Sequence, residues 1–206
     1  MIKQAFLTTS LHYSGDNQLI AHLWSEIENH YSDKKRHYHT LTHLDNLLYQ
    51  LNDVKDLIQD WDTIVFSVAY HDVVYNALKH DNEEKSALFA QRSLQKLSVS
   101  WPQIEHCMAQ IIATKSHQIS DNTDTNLLTD ADLSVLGQDW PIYQQYYQQV
   151  RKEYSIYPDF VYKPGRKKVL RHFLEMEHIF KTEAFAQRLE TQARHNMEQE
   201  LSELSR

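Results

Sequence analysis

Inside the apolar segment 64–75 the chain places His71 and Asp72 side by side. Residues 61–75 are apolar almost all round, as expected of a central helix packed on several sides. A buried imidazole beside a buried carboxylate is costly unless something positive sits between them. A divalent metal ion is the simplest such group. Two other segments carry the same kinds of side chain: Arg36-His37-Tyr38-His39-Thr40-Leu41-Thr42-His43 upstream, and Thr129-Asp130-Ala131-Asp132-Leu133 downstream. Whatever fold forms must bring three distant segments to one polar centre.

Composition bounds that fold. With 206 residues and 41% hydrophobic content, the chain is read as one globular domain, residues 1–206, with a substantial core. Three Gly and four Pro are too few for a turn-rich β fold. A formal charge of -7 disfavours a dedicated nucleic-acid binder. The single Cys107 rules out an intramolecular disulfide framework and any multi-cysteine zinc site, while 13 His turn attention to metal chemistry. No segment approaches the roughly 18 consecutive apolar residues of a membrane span. The N-terminal apolar run is too short for a signal peptide, so a cytoplasmic protein is expected.

Helical spacing recurs along the chain. Leu19, Ile20, Leu23, Trp24 and Ile27 form one stripe, and His43, Leu44, Leu47, Leu48 and Leu51 a second. Asp81 is an N-cap candidate for a helix running to about Leu97, with Glu83 and Glu84 in its first turn. Pro102 and Pro141 each open a helix, the first carrying Ile104, Met108, Ile111 and Ile112 and the second ending near Tyr154. Polar loops are expected at 116–125 and around Pro158, Pro164 and Gly165. Closing helices are expected at 166–174 and 182–204, the last a charged surface helix bearing Glu190, Arg194, Glu198 and Glu200. The expectation is an all-α, single-domain helical bundle.

The ordered motifs resemble the HD-domain superfamily of metal-dependent phosphohydrolases, in particular a small bacterial branch reading R-x-Y-H-x-x-x-H, then Y-H-D, then D-A-D-L. Here these are Arg36 to His43, Tyr70-His71-Asp72, and Asp130-Ala131-Asp132-Leu133. The likeness continues through residues 82–87 and 113–117 to Arg151-Lys152-Glu153-Tyr154, covering most of the chain. It implies a bundle of the HD type in which His43, His71, Asp72 and one aspartate of the downstream pair hold the metal. A small residue before the last ligand favours Asp132 over Asp130. The stretch Tyr38 to His43 is also similar to the Tyr-His-Asn-x-x-His motif of cyclic-nucleotide phosphodiesterases, which makes His39 the candidate acid, although Thr40 replaces the Asn.

Two imidazoles and two carboxylates suit Mn²⁺, Fe²⁺, Co²⁺, Ni²⁺ or Zn²⁺, with Mg²⁺ left open. His39 and His43, four residues apart, would share one face of a single helix. Arg36 is the candidate phosphate clamp. Lys115, His117, Glu83, Glu84 and Asp130 are candidates for binding substrate or orienting ligands. Each has a plain structural alternative. Asp130 or Asp132 would equally cap a helix beginning near Leu133, and Glu83 and Glu84 suit a helix start. Lys115 and His117 suit a helix end. Arg166-Lys167-Lys168 would bind phosphate at a helix N-terminus or simply be solvated, and the tyrosines of segment 144–149 read as packing.

The expected activity is hydrolysis of a small phosphate ester, nucleotide-like by the resemblance, by metal-activated water. Two alternatives stand beside it: a non-catalytic metal- or nucleotide-binding module, and an HD-type diiron oxygenase that would recruit His39, His117 and Glu83 or Glu84.

Overall fold

The computed structural model describes residues 1–205, and within them the chain forms ten α-helices and no strand. They are α1 (Ile2–Ser10), α2 (Asn17–Tyr31), α3 (Leu41–Asp53), α4 (Trp61–Tyr70), α5 (Asn82–Lys96), α6 (Trp101–Ala113), α7 (Thr123–Leu133), α8 (Trp140–Glu153), α9 (Asp159–Glu175) and α10 (Glu183–Glu203). The all-α expectation holds. No helix of the described residues is long and apolar enough to cross a membrane.

The two stripes read from the sequence bury as their spacing requires. Ile20, Leu23, Trp24 and Ile27 of α2 are buried, and so are all five stripe residues of α3, including His43. Asp16 starts α2 by accepting the N–H groups of Gln18 and Leu19 at 3.0 Å each. The centre of the bundle is α4, buried from Thr63 to Tyr70 and packed on α1, α3, α5, α6 and α7. Side chains there are covered on every side, which is why no polar face survives in its sequence.

That helix stops earlier than its apolar run suggests. It ends at Tyr70, with His71 as its C-cap, and the continuation expected to residue 75 is a turn. Backbone groups freed by the stop are taken up by side chains. Arg36 donates to the carbonyls of Asp72 (2.7 Å) and Val73 (3.0 Å). The N–H of Asp72 donates to the Tyr31 hydroxyl and that of Val74 to Ser86 Oγ, both at 3.1 Å. Buried backbone must be paired, and these partners make the stop affordable.

Other boundaries shift for similar reasons. Asp81 stands at the N-cap of α5 but makes no capping bond, and pairs with Lys85 instead. Ile112 of α6 is exposed. The downstream aspartates do not cap a helix beginning near Leu133; they lie in the last turn of α7, which Asn122 starts by accepting the Thr125 N–H. The loop expected around Pro164 and Gly165 is helical, because Pro158 occupies the N-cap of α9 and Pro164 withdraws only one donor from its exposed side. Arg166 then lies mid-helix and buried, bidentate to Glu200 at 2.7 and 2.9 Å, so the idea of Arg166-Lys167-Lys168 as a helix-start phosphate site is set aside.

The closing helix is docked rather than peripheral. Glu200 is buried and also accepts the Tyr143 hydroxyl. Asn196 donates to the carbonyls of Leu136 (2.8 Å) and Gln138 (2.7 Å). Gly137 permits that approach, since a Cβ there would lie 2.6 Å from Leu189 Cβ and 2.7 Å from the Leu189 carbonyl oxygen.

Candidate metal centre

Three segments meet at one point. α3 delivers His43 from its first turn, the end of α4 delivers His71 and Asp72, and the last turn of α7 delivers Asp132. His43 Nε2 lies 3.2 Å from both His71 Nε2 and Asp132 Oδ1. His71 Nε2 lies 3.3 Å from Asp72 Oδ2 and 3.8 Å from Asp132 Oδ1. The group His43, His71 and Asp132 can hold a metal ion, its three donor atoms lying within 4.8 Å of one another. Asp72 stands outside that trio but faces it through His71.

The fit can be tested on distance and on tautomer. Ligand bonds of about 2.0–2.2 Å put neighbouring donors of one ion roughly 3.0–3.6 Å apart. The separations of 3.2 Å from His43 to His71 and Asp132 and of 3.3 Å from His71 to Asp72 fall on that scale, while the 3.8 Å from His71 to Asp132 lies just beyond it. His71 Nδ1 donates to the Val68 carbonyl at 3.0 Å, which leaves Nε2 to present its lone pair inward. Two imidazole nitrogens facing each other at 3.2 Å attract only if a proton or a cation lies between them. The donor set suits a divalent ion.

Electrostatics agree. Burial disfavours the charged form of His71, but Asp72 and Asp132 outweigh it and push its pKa up to about 9. Burial lowers the pKa of His43, despite Asp132, and favours the neutral form that ligates metals. Burial alone would raise Asp72 and Asp132, but His71 holds the first far below the carboxylate range and His117, with His43, does the same for the second. The pocket is built to favour positive charge at its middle.

A second layer supports these donors. His117 Nε2 reaches Asp132 Oδ2 at 2.9 Å from a residue with φ of 51°, a left-handed conformation unusual for a side chain with a Cβ. Glu153, at the end of α8, accepts three successive backbone N–H groups on Oε1, from His37, Tyr38 and His39 at 2.7, 2.8 and 3.0 Å. Its Oε2 takes His39 Nδ1 at 2.6 Å and the Tyr75 hydroxyl at 3.0 Å. The His39 ring stacks on Tyr75 with centroids 4.4 Å apart. His39 Nε2 then points inward, 3.9 Å from Asp72 Oδ2. Burial opposes its charged form, yet Glu153 raises the pKa of His39.

The candidate residues therefore divide. His43, His71, Asp72 and Asp132 converge, with His39 and His117 beside them. His39 precedes α3, whose N-cap is Thr40, so His39 and His43 do not share a helix face; the turn brings their rings within 5.7 Å. Arg36 is no phosphate clamp: it is buried, donates to the carbonyls of His39, Asp72 and Val73, and lies over the Tyr31 ring. Asp130 points elsewhere, pairing with Lys181 and accepting the N–H groups of Lys181 and Thr182 at the start of α10. Glu84 and Lys115 pair with each other, while Glu83 borders the cavity.

Sequence reasoning gave Glu153 no role. Its only signal was membership of the segment Arg151 to Tyr154, more than a hundred residues from the backbone it holds. A cavity of about 720 Å³ opens onto His39, Asp72, Asp132 and His117, with Tyr38, Tyr75 and Tyr146 in its walls. No family model, curated protein or solved structure matches this chain.

Proposed function

We propose that this protein is a metal-dependent phosphohydrolase of the HD type, acting on a small phosphate ester. The observation that carries the reading is the convergence of His43, His71 and Asp132, flanked by Asp72, at the foot of a cavity large enough for a small ligand. In this reading the four side chains hold the ion. When bound, a divalent ion supplies Lewis acidity toward a phosphoryl oxygen and lowers the pKa of a coordinated water.

The chain's own groups supply the rest. Glu153 fixes the His39 ring through Nδ1 and leaves Nε2 facing the cavity. Burial opposes a charge on that ring, but Glu153 raises its pKa and so favours the form able to give a proton to a leaving alkoxide. Arg36 fixes the turn after α4 and so keeps Asp72 beside His71. His117 orients Asp132.

The test is metal content by elemental analysis on protein purified without chelator or a His tag, beside Asp132→Asn, followed by a phosphoester hydrolysis screen. About one ion per wild-type chain, lost in the variant, with hydrolysis that follows the ion, is the expected result. No ion after reconstitution with Mn²⁺, Co²⁺ or Ni²⁺ would overturn the metal centre. Two irons per chain would favour the oxygenase. Turnover of no ester by metal-replete protein would leave a binding module.

A further inference from the structure

The walls of the cavity above Asp72 and Asp132 are of two kinds. The segment 77–83 and the end of α6 contribute polar residues, among them Lys79, Glu83 and Lys115. The turn after α7, with α8 and α9, contributes Leu136, Val150, Val161, Val169 and Phe173, with tyrosines between them. Asp72, Asp132 and His39 border the same space, so a phosphoryl group held there would have an apolar wall to one side.

Charge accounting narrows the ligand further. Arg166 borders the cavity but is committed to Glu200 through two hydrogen bonds. Lys115 is held by Glu84 and by the carbonyl of His80. Arg36, behind the centre, is committed to carbonyls. Of the lysine and arginine side chains lining the cavity, Lys79 alone makes no ion pair among the described residues. Asp72, Asp132 and Glu83 line it too. A triphosphate brings several negative charges and finds few cations to meet them. A monoester brings only two, and so asks less of a lining that already carries Asp72, Asp132 and Glu83.

Resting on the phosphohydrolase reading, we infer that the substrate is a monophosphate ester of an apolar or aromatic alcohol, its organic group lying against the wall formed by α8 and α9. Hydrolysis breaks the P–O bond to the alcohol. Water supplies the oxygen of the released phosphate, and a proton, delivered from His39, leaves with the alcohol.

The experiment compares p-nitrophenyl phosphate, acetyl phosphate, glucose 6-phosphate and ATP on metal-replete wild-type protein and on Val169→Trp. Val169 is 44% exposed, so the larger ring is accommodated while it fills the apolar wall. Expected is a preference for the aryl ester over ATP and the sugar phosphate. Val169→Trp should raise KM about tenfold more for the aryl ester than for acetyl phosphate, the scale of a remodelled apolar pocket. Equal kcat/KM for all four compounds, or an equal effect of the variant on aryl and acetyl substrates, would overturn the apolar subsite and leave the hydrolase reading standing. Should no ester turn over, titration with phenylphosphonate, read by calorimetry, decides separately: binding weakened about tenfold by Val169→Trp supports the wall, and unaltered or absent binding overturns it.

Discussion

Two buried polar clusters border the same cavity, and their groups are matched in different ways. In one, Glu200 receives two bonds from Arg166 and one from Tyr143, while Arg166 also lies over the Tyr146 ring. Each charge there has its partner within the fold. In the other, His43 and His71 turn the same ring nitrogen toward each other, with Asp72 and Asp132 alongside. Donor atoms of His43, His71 and Asp132 converge there within 4.8 Å of one another. A buried cluster that closes on itself holds helices together, whereas one whose donor atoms converge can hold a metal ion. Asp130 and Asp132 repeat the contrast within one turn of α7, the first spent on α10 and the second aimed at the histidines.

The sharpest way to break this contrast is to open the closed cluster. Arg166→Ala leaves Glu200 buried without its cation and should cost about 3–5 kcal/mol in urea denaturation. A cost near zero would mean that Glu200 is not held as described. In the convergent cluster the effect should instead depend on metal. Asp132→Asn should erase the gain of about 2.7 kcal/mol expected when free metal exceeds Kd a hundredfold. Melting curves with and without Mn²⁺ measure it, and an undiminished metal shift would remove Asp132 from the site.

Gly137→Ala probes how tightly α10 seats against the turn after α7. The Cβ would meet Leu189 at 2.6 Å, and overpacking of this kind should cost about 1–3 kcal/mol. Unchanged stability by denaturation would show that α10 yields at this point.

The smallest effect is a change of pH dependence. Burial opposes the charge of Glu153, but His39 and the backbone N–H groups lower its pKa from the ordinary 4.5 to about 2. A carboxylate depressed on folding adds stability in full above its unfolded value and loses it as pH falls. The ionised Glu153 should therefore support the fold above about pH 4.5 and cease to do so as pH approaches 2. Glu153→Gln should flatten this part of the acid limb, followed by circular dichroism. An identical acid limb in both proteins would detach Glu153 from the cradle.

Much of the fold was legible because helical periodicity is local: a stripe such as Leu44, Leu47, Leu48 and Leu51 has only one way to bury. Boundaries were legible where a cap or a first-turn proline marked them, as at Pro102 and Pro141. They were not where tertiary partners decided, as at Tyr70, where side chains from α2, α5 and the turn before α3 absorb the freed backbone. The charged look of α10 likewise gave no sign that Glu200 would be buried, since burial depended on Arg166 arriving from another helix.

By itself the sequence determined a helical chain with metal-type donors in three segments. The structure sets the aspartate pair in the last turn of α7, where Asp130 and Asp132, two residues apart, project about 200° from each other, so one centre takes only one of them. Which one was a matter of tertiary structure: α10 brought Lys181 and Thr182 to Asp130, and α3 brought His43 to Asp132. The fate of Arg36 was decided in the same way, by the carbonyls that the end of α4 released beside it. Periodicity acts between near neighbours in the chain, while desolvated charges are settled by whatever partner the packing brings within reach.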